Sequence, residues 1–401
     1  MVNMNRHFLR DIADIQTGPF GSQLHKEDYV DIGTPIVTVE HLGNRVFTEQ
    51  NLPKVSDEDK ARLSKYVLKE GDIVFSRVGS VDRCSYVDAA HDGWMFSGRC
   101  LRVRPNTEVD PLYLYYFFCL EDTKQFVRNI AVGATMPSIN TKLLGEVEVA
   151  YPSQTEQQKI VALLSALDDK IEINQKINEN LQQQAAAIFR SWFVDCVPFG
   201  GTAPDEWENV TLEGITALVS RGITPKYADD TDQIVINQKC IRNHMIDLSF
   251  ARSHRPKVIN DKWLRFGDLL INSTGDGTLG RAAQVWFQPH NLTVDSHVTI
   301  VRPAAENMTF YIGLWGTQHE REIESLHTGS TGQTELPRDR VKALELLLPD
   351  KETLNRFNAL IAPMAATIVS NQEENNRLVS IRDALLPRLM SGEIDVSAIQ
   401  I

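Results

Sequence analysis

One heptad register runs through this chain twice, 197 positions apart. The first copy is Ile160, Leu164, Leu167, Ile171, Asn174, Asn178, Leu181, Ala185, Ile188 and Trp192. The second is Phe357, Ile361, Met364, Ile368, Asn371, Asn375, Leu378, Arg382, Leu385 and Leu389. Steps of four and three keep one apolar stripe facing a partner helix, the seam of a coiled coil. Ahead of the first copy, Ser153-Gln154-Thr155-Glu156 has the S-x-x-E form of a capping box, in which the two side chains satisfy orphan amides at a helix start. A helix is predicted over 154–193, about 60 Å long at 1.5 Å per residue. Asn174/Asn178 and Asn371/Asn375 fall at the same two places in both copies. An Asn in an apolar seam costs stability but fixes register. Matching polar layers therefore predict antiparallel seams that meet, with Asn174 facing Asn375 and Asn178 facing Asn371. Two amphipathic helices buried separately, each in its own domain, are the other reading. Arg382 departs from the apolar pattern. Pro363 and Pro387 each remove a backbone donor and predict a kink or stop in the second helix.

The segments between the helices repeat as well. Phe266-Gly267-Asp268-Leu269-Leu270-Ile271 echoes Glu70-Gly71-Asp72-Ile73-Val74-Phe75, and Val298 to Pro303 echoes Cys100 to Pro105. In each copy short β-rich runs are punctuated by Gly and Pro turns. Leu101-Arg102-Val103-Arg104 alternates as a half-buried strand does, and Tyr113 to Phe118 predicts a helix packed on the sheet. The fold class is mixed α+β: two similar globular domains joined by two long helices, with an internal pseudo-two-fold. The predicted layout is a first domain at 1–150, a helix and linker at 151–199, a second domain at 200–348, and a helix and tail at 349–401. A period near 197 residues is a duplication within one chain and far too long for a solenoid.

Several function classes are excluded by what the chain lacks. No apolar run reaches the ~18 to 20 residues of a membrane span, and Met1 to Arg6 has no apolar signal-peptide core. Five cysteines at positions 84, 100, 119, 196 and 240 never fall in C-x-x-C spacing, which predicts reduced thiols in a cytoplasmic protein without zinc or disulfides. There is no P-loop, no H-E-x-x-H and no G-x-S-x-G. There is also no N-P-P-[FY] or D-P-P-[YW] tetrad of an amino-methyltransferase. Gly275-Asp276-Gly277-Thr278-Leu279-Gly280 has the form G-x-G-x-x-G. The dinucleotide fingerprint, however, needs a long helix behind it, and Ala282 to Phe287 is β-leaning and stops at Pro289. The motif is predicted to be a turn between strands, and no catalytic constellation is left.

The net charge of −12 argues against a globally basic surface, but cations cluster locally. Residues 239–265 hold Lys239, Arg242, Arg252, Arg255, Lys257, Lys262 and Arg265. A looser set runs through His41, Arg45, Lys54, Lys60, Arg62, Lys65, Lys69, Arg77 and Arg83. Such clusters are either solvated faces or phosphate contacts. Beside them lie polar loops at 16–22, 135–140, 220–224 and 331–334, whose side chains suit base edges. The candidate DNA-contacting residues of the first half are Gln16, Thr17, Ser22, Arg77, Arg83, Thr135, Ser138 and Asn140. Those of the second are Arg221, Thr224, Lys239, Arg242, His244, Ser273, Thr274, Arg281, Thr331, Gln333 and Thr334.

Certain stretches carry a resemblance. They are Tyr151-Pro152-Ser153-Gln154-Thr155-Glu156-Gln157-Gln158-Lys159-Ile160 and Ile188-Phe189-Arg190-Ser191-Trp192-Phe193 around the first helix. Gly133-Ala134-Thr135-Met136-Pro137-Ser138-Ile139-Asn140, Gln16 to Ser22, and the tail Leu385 to Ile394 add to them. Together with the duplication, they make the chain resemble the specificity subunit of a type I restriction-modification system. The second copy departs from the pattern at Thr331-Gly332-Gln333-Thr334-Glu335-Leu336. The resemblance implies two target-recognition domains, each reading one half of a split double-stranded DNA site. It implies long helices that act as a spacer of fixed length and dock two methyltransferase subunits. Those partners would bind S-adenosylmethionine and methylate adenine, and separate motor-nuclease subunits would use ATP and Mg. This chain would have no cofactor, no catalytic residue and no membrane contact. A coiled-coil scaffold without DNA readout and, from the Gly275 motif, an NAD-binding oxidoreductase are the rival classes.

Overall fold

The computed structural model describes residues 4–397 apart from Phe20, Ser22, Asp230, Asp276 and residues 330–333. It divides into two compact units, Met1–Asp169 with Leu378–Ile401, and Lys170–Arg377. Both boundaries fall inside long helices, so each unit contains part of each helix.

The first unit contains ten strands: β1 (Asn5–Phe8), β2 (Ala13–Thr17), β3 (Tyr29–Val30), β4 (Thr34–Val37), β5 (Lys54–Val55), β6 (Ile73–Ser76), β7 (Cys84–Tyr86), β8 (Met95–Phe96), β9 (Cys100–Pro105) and β10 (Glu148–Tyr151). Short helices α1 (Leu9–Ile12), α2 (Asp57–Arg62), α3 (Pro111–Cys119), α4 (Glu121–Ile130) and α5 (Thr141–Leu144) lie between them. The main sheet has the order β2-β9-β6-β7, a second sheet is β3-β5-β4-β8, and β1 pairs with β10. Within the second sheet β4 and β8 run parallel. α3 starts at Asp110, whose carboxylate accepts from the amides of Leu112 and Tyr113, with Pro111 at the first helical position. Tyr113 through Phe118 are all buried, as expected of a helix apolar all round. The core joins this helix to Phe75, Leu101 and Val103 of the sheet, to Ile160 and Leu164 of the first long helix, and to Leu386, Leu389 and Met390 of the second. β9 is central, with Leu101 to Val103 buried, and not half-buried as its alternation suggested. Arg102 is tolerated there because its guanidinium reaches Asp14.

The first long helix, α6 (Gln154–Phe189), runs for 36 residues and passes into a π-helical turn at Arg190–Val194. Its capping box is formed: the Glu156 amide donates to Ser153 Oγ at 3.4 Å and the Ser153 amide to Glu156 Oε2 at 3.1 Å.

In the second unit come β11 (Glu208–Thr211), β12 (Thr216–Arg221), β13 (Ile234–Ile236), β14 (Ile241–Arg242), β15 (Met245–Ile246), β16 (Arg252–Ser253), β17 (Leu269–Asn272), β18 (Ala282–Gln284), β19 (Leu292–Val294), β20 (Val298–Pro303) and β21 (Glu345–Leu348). The helices are α7 (Thr309–Gln318), α8 (Glu320–Ser325), α9 (Arg338–Lys342) and α10 (Lys351–Met390). Its main sheet, β12-β20-β17-β18, repeats the main sheet of the first unit strand for strand, and β11-β21 repeats β1-β10. β13 runs parallel to β19, as β4 does to β8. A side chain on Gly313 would place its Cβ 2.0 Å from Gln284, so the glycine is what lets α7 lie close on β18.

Each unit builds its own stretch of helix pairing. In the second, Asn174 Nδ2 donates to Asn375 Oδ1 at 2.8 Å and Asn371 Nδ2 to Asn178 Oδ1 at 2.8 Å. These are the two layers expected from the repeated asparagines, and they run antiparallel. Glu374 Oε2 accepts a second bond from Asn174 Nδ2 at 2.7 Å, and Lys170 Nζ donates to Asn174 Oδ1 at 2.9 Å. The amide is therefore buried with its hydrogen-bonding capacity used. In the first unit Arg382 is no defect in the seam. It donates to Asp168 Oδ1 at 2.8 Å, and the Tyr116 hydroxyl donates to Asp168 Oδ2 at 2.7 Å.

Two expectations fail here. The buried stripe holds Asp168, Phe189, Ala365 and Leu386, where the heptad register put Leu167, Ile188, Met364 and Leu385, which are only half-buried. A straight helix of 3.6 residues per turn drifts about 20° per heptad against a 3.5 repeat, so the seam slips by one residue at intervals. Of the kink or stop expected at Pro363 and Pro387, the stop does not occur, since α10 runs through both for 40 residues. Both prolines sit on its exposed side, and the burial of Phe357, Ile361 and Ile368 on the other side offsets the missing amide bonds.

Candidate nucleic-acid interface

One end of the main sheet of the first unit gathers most of that half's candidate residues. β2 ends there at Thr17 opposite Leu101, and β6 ends at Ser76 opposite Cys100. The loop 132–140 is fastened across this end by backbone bonds. The Gly79 amide donates to Pro137 O at 2.8 Å, and the Ile139 amide to Arg77 O at 3.0 Å. Val132 and Ser138 donate to each other's carbonyls at 2.9 Å. Gln16 and Thr17 are the last residues of a strand and not part of the expected loop; they are half-buried, while Thr135 is exposed. Arg77 donates to Gly98 O at 3.2 Å. Arg83 is exposed beside Gly43, where a Cβ would sit 2.7 Å from the movable guanidinium; it is the φ of +121° at Gly43 that disfavours any other residue. Asn140 has a local duty, because its side-chain oxygen accepts from the Leu143 amide at 2.9 Å and caps α5. Ser22 lies outside the described residues. Arg99 is exposed one residue before β9. It went unnoticed in the sequence because only strand pairing brings it to the end that holds Arg77.

The second unit has the same end with other side chains. Arg221 closes β12 opposite Thr299, the place of Thr17 opposite Leu101. The Leu336 amide donates to Ser273 O at 2.8 Å, as Ile139 does to Arg77. The Asn272 amide donates to Arg281 O at 2.9 Å, as Ser76 does to Arg83. Glu335 holds the bridges to Thr274 and Thr328 that Ser138 makes to Val78 and Val132. Its carboxylate pairs with Arg221 at 2.8 Å, and Arg221 also donates to Leu336 O at 2.7 Å. Glu335 too was missed, because only the bridges to Thr274 and Thr328 bring it to the end that holds Arg221. Ser273 is fully buried, and its hydroxyl meets Thr299 Oγ1 at 2.6 Å. The residue expected to face DNA is therefore part of the core. Thr274 bonds Gln238 Oε1 at 3.1 Å and His297 Nδ1 at 2.7 Å, which draws the turn carrying exposed Lys239 to the same end. Thr224 is exposed just beyond β12, Arg281 and Thr334 are half-buried, and Thr331 and Gln333 lie outside the described residues.

Arg242 and His244 sit on a separate hairpin. β14 and β15 are joined by Asn243 and His244, both at positive φ, the form of a two-residue primed turn. Arg242 lies 5.3 Å over the Phe250 ring. His244 Nε2 is 3.4 Å from Glu320 Oε2, and the hydrogen bond to that carboxylate raises its pKa above the ordinary histidine value. Several other cations of the two clusters are used inside the fold: His41 is buried, Arg45 pairs with Asp169, and Lys262 donates to Gly222 O at 3.1 Å.

The Gly275 motif leads into strand β18 and not into a helix, so it lacks the helix N-terminus a pyrophosphate needs. Among the described residues no group of His, Cys, Asp and Glu is placed to hold a metal ion, and no helix is long and apolar enough to cross a membrane.

Residues 1–183 match the family model described as the type I restriction modification DNA specificity domain. The chain is 26% identical to the type I restriction enzyme MjaIX specificity subunit of Methanocaldococcus jannaschii over 97% of this chain and 93% of that one. It is 24% identical to the HindI specificity subunit of Haemophilus influenzae, over 84% of this chain and 89% of that one. In fold it resembles the crystal structure of the S subunit from M. genitalium, with a TM-score of 0.55 at 14% identity over 97% and 96% of the two chains. Residues 1–183 thus match a type I restriction modification DNA specificity domain, and over most of its length the chain is similar to specificity subunits of type I restriction enzymes.

Proposed function

We propose that the two matching sheet ends read the two halves of a bipartite double-stranded DNA site, one end for each half. The observation that carries this is the repeated end itself: the same backbone bonds hold different side chains in the two units. Base contacts specify and phosphate contacts position, so such an end can change its target by exchanging side chains alone. In this reading two methyltransferase subunits dock on the chain and bring S-adenosylmethionine to the adenine. Motor-nuclease subunits bring ATP and Mg, and the whole assembly works in the cytoplasm. The net charge of −12 then leaves much of the phosphate neutralisation to the partners.

The test is methylation of a randomised duplex library by the chain assembled with its methyltransferase partners. Arg77→Ala is expected to relax one position of one half-site by about 1–3 kcal/mol if it meets a base. If it meets a phosphate, it weakens all sequences alike and lowers the salt slope by about one. Arg281→Ala does the same in the other half-site. Arg77→Ala changing the base preference in both half-sites equally would overturn separate readout.

A further inference from the structure

The geometry points to Glu335 as the residue that selects a cytosine in the half-site read by the second unit, by accepting a hydrogen bond from the base's exocyclic amino group. This rests on the reading above and adds a chemical identity to one of its contacts.

Glu335 occupies the position of Ser138 in the fastened loop, with its backbone bonded to Thr328 in both directions at 2.8 and 2.9 Å. The loop therefore fixes where its Cα stands. Arg221 fixes the side chain: Nη1 binds Oε1 at 2.8 Å, and Nη2 is anchored on Leu336 O at 2.7 Å. The side chain nevertheless stays 59% exposed, so the carboxylate is aimed and not buried. It lines an open polar cleft with Ser220, Arg221, Lys262, Arg338 and Asp339, in which the cations outnumber the carboxylates. The cations beside it offset the repulsion between a carboxylate and the phosphates.

A carboxylate only accepts. In the major groove guanine offers two acceptors and thymine one acceptor beside a methyl group, and both repel it. Adenine offers an amino group next to the N7 acceptor, whereas cytosine offers the amino donor without an adjacent acceptor. An ionised, held acceptor therefore favours cytosine. Ser138, at the same place in the first unit, donates as well as accepts and imposes no such choice. A purely structural ion pair is the competing account. It would make Glu335 matter for the stability of the loop and not for the base.

The test uses the full chain assembled with its methyltransferase partners and a randomised duplex library. Wild type should require a cytosine, or guanine on the opposite strand, at one position of the second half-site. Glu335→Gln should lower discrimination at that position roughly 5- to 150-fold, the range of a single base contact. The first half-site should not change. Glu335→Asp keeps the acceptor and withdraws it, so cytosine should stay preferred with weaker discrimination. This variant also covers the case in which the amide disturbs the loop. An unchanged motif with Glu335→Gln overturns the inference, and so does an equal loss at every position. A wild-type assembly that methylates no bipartite motif would instead overturn the reading on which the inference rests.

Discussion

At the end of its main sheet the first unit carries Thr17, Arg77, Arg83, Arg99 and Ser138, while the second carries Arg221, Ser273, Arg281, His297 and Glu335. The loop is fastened by the same amide-to-carbonyl bonds in both. Only Arg83 and Arg281 keep their chemistry. The arginine at position 77 has become a buried serine at 273, while a new arginine has entered at 221 with a carboxylate beside it. The frame is held by backbone groups, which every residue type supplies, so the side chains were free to diverge without loss of topology. An end rich in guanidinium suits phosphate and guanine. One with a held carboxylate suits amino donors.

The deepest shared feature gives the largest expected effect. Arg302 binds Asp268 through Nε at 2.8 Å and Nη2 at 2.7 Å, and Arg104 binds Asp72 through the same two nitrogens at 2.6 Å. Arg302 is 8% exposed and Arg104 31%, above carboxylates that are each 1% exposed. Removing one partner of a buried pair strands the other charge, at about 3–5 kcal/mol. Arg302→Ala should lose that much in the second unit. Arg104→Ala should lose less, about 1–3 kcal/mol, because water reaches the vacated space. Hydrogen exchange followed unit by unit in denaturant measures both, and equal losses would break the argument from depth.

The helix pairing offers a smaller contrast. The first unit places a charged group, Asp168, in the seam with Arg382 and Tyr116, and the second uses neutral amides. Asp168→Ala leaves the buried Tyr116 hydroxyl without its acceptor and Arg382 with Asp383 alone, and should cost about 1.5–3 kcal/mol. Asn174→Ala should cost about 1–2 kcal/mol. Replacing Asn174 and Asn375 together by Leu should restore stability while loosening the register. Thermal unfolding of the three variants orders them, and an Asn174→Ala loss exceeding that of Asp168→Ala would reverse the ranking.

The asparagine layers were legible because a polar residue repeated in an apolar heptad has few uses other than fixing a register. The Gly71-Asp72 and Gly267-Asp268 echo was equally plain, but the partners Arg104 and Arg302 lie 32 and 34 residues away, and chain position says nothing of that distance. Nothing in the local sequence marked the candidate Ser273 as buried, since it stands next to the Gly275 turn. The inward step of the strand end that buries it exists only in the sheet. Asp168 was passed over for Leu167 because a 3.5-residue template was laid on a 3.6-residue helix. Arg99 and Glu335 became candidates only when strand pairing brought them to the same ends as Arg77 and Arg221.

The smallest effect separates the two units by pH. In each, the segment after a 3-10 turn is closed by one backbone bond, Thr48 N to His41 O at 3.1 Å and Asp247 N to Cys240 O at 2.8 Å. Each segment is also tethered by a cation: Arg45 to Asp169 in the first unit, His244 to Glu320 in the second. A guanidinium keeps its charge at any pH the fold survives. The hydrogen bond to Glu320 raises the His244 pKa, against a smaller lowering by burial. A raised pKa means that the folded state binds the proton more tightly than the unfolded one. The tether's contribution is therefore fully present below the unfolded value near 6.5 and is lost as pH rises through the higher folded value. Imidazole shifts followed by NMR should show His244 titrating above the ordinary range, and Glu320→Gln should return it toward about 6.5. Over the same window, exchange of the amides in β14 and β15 should quicken beyond the general base-catalysed trend, while residues 42–48 should follow that trend alone. A parallel response in both segments would mean that the histidine is not the tether.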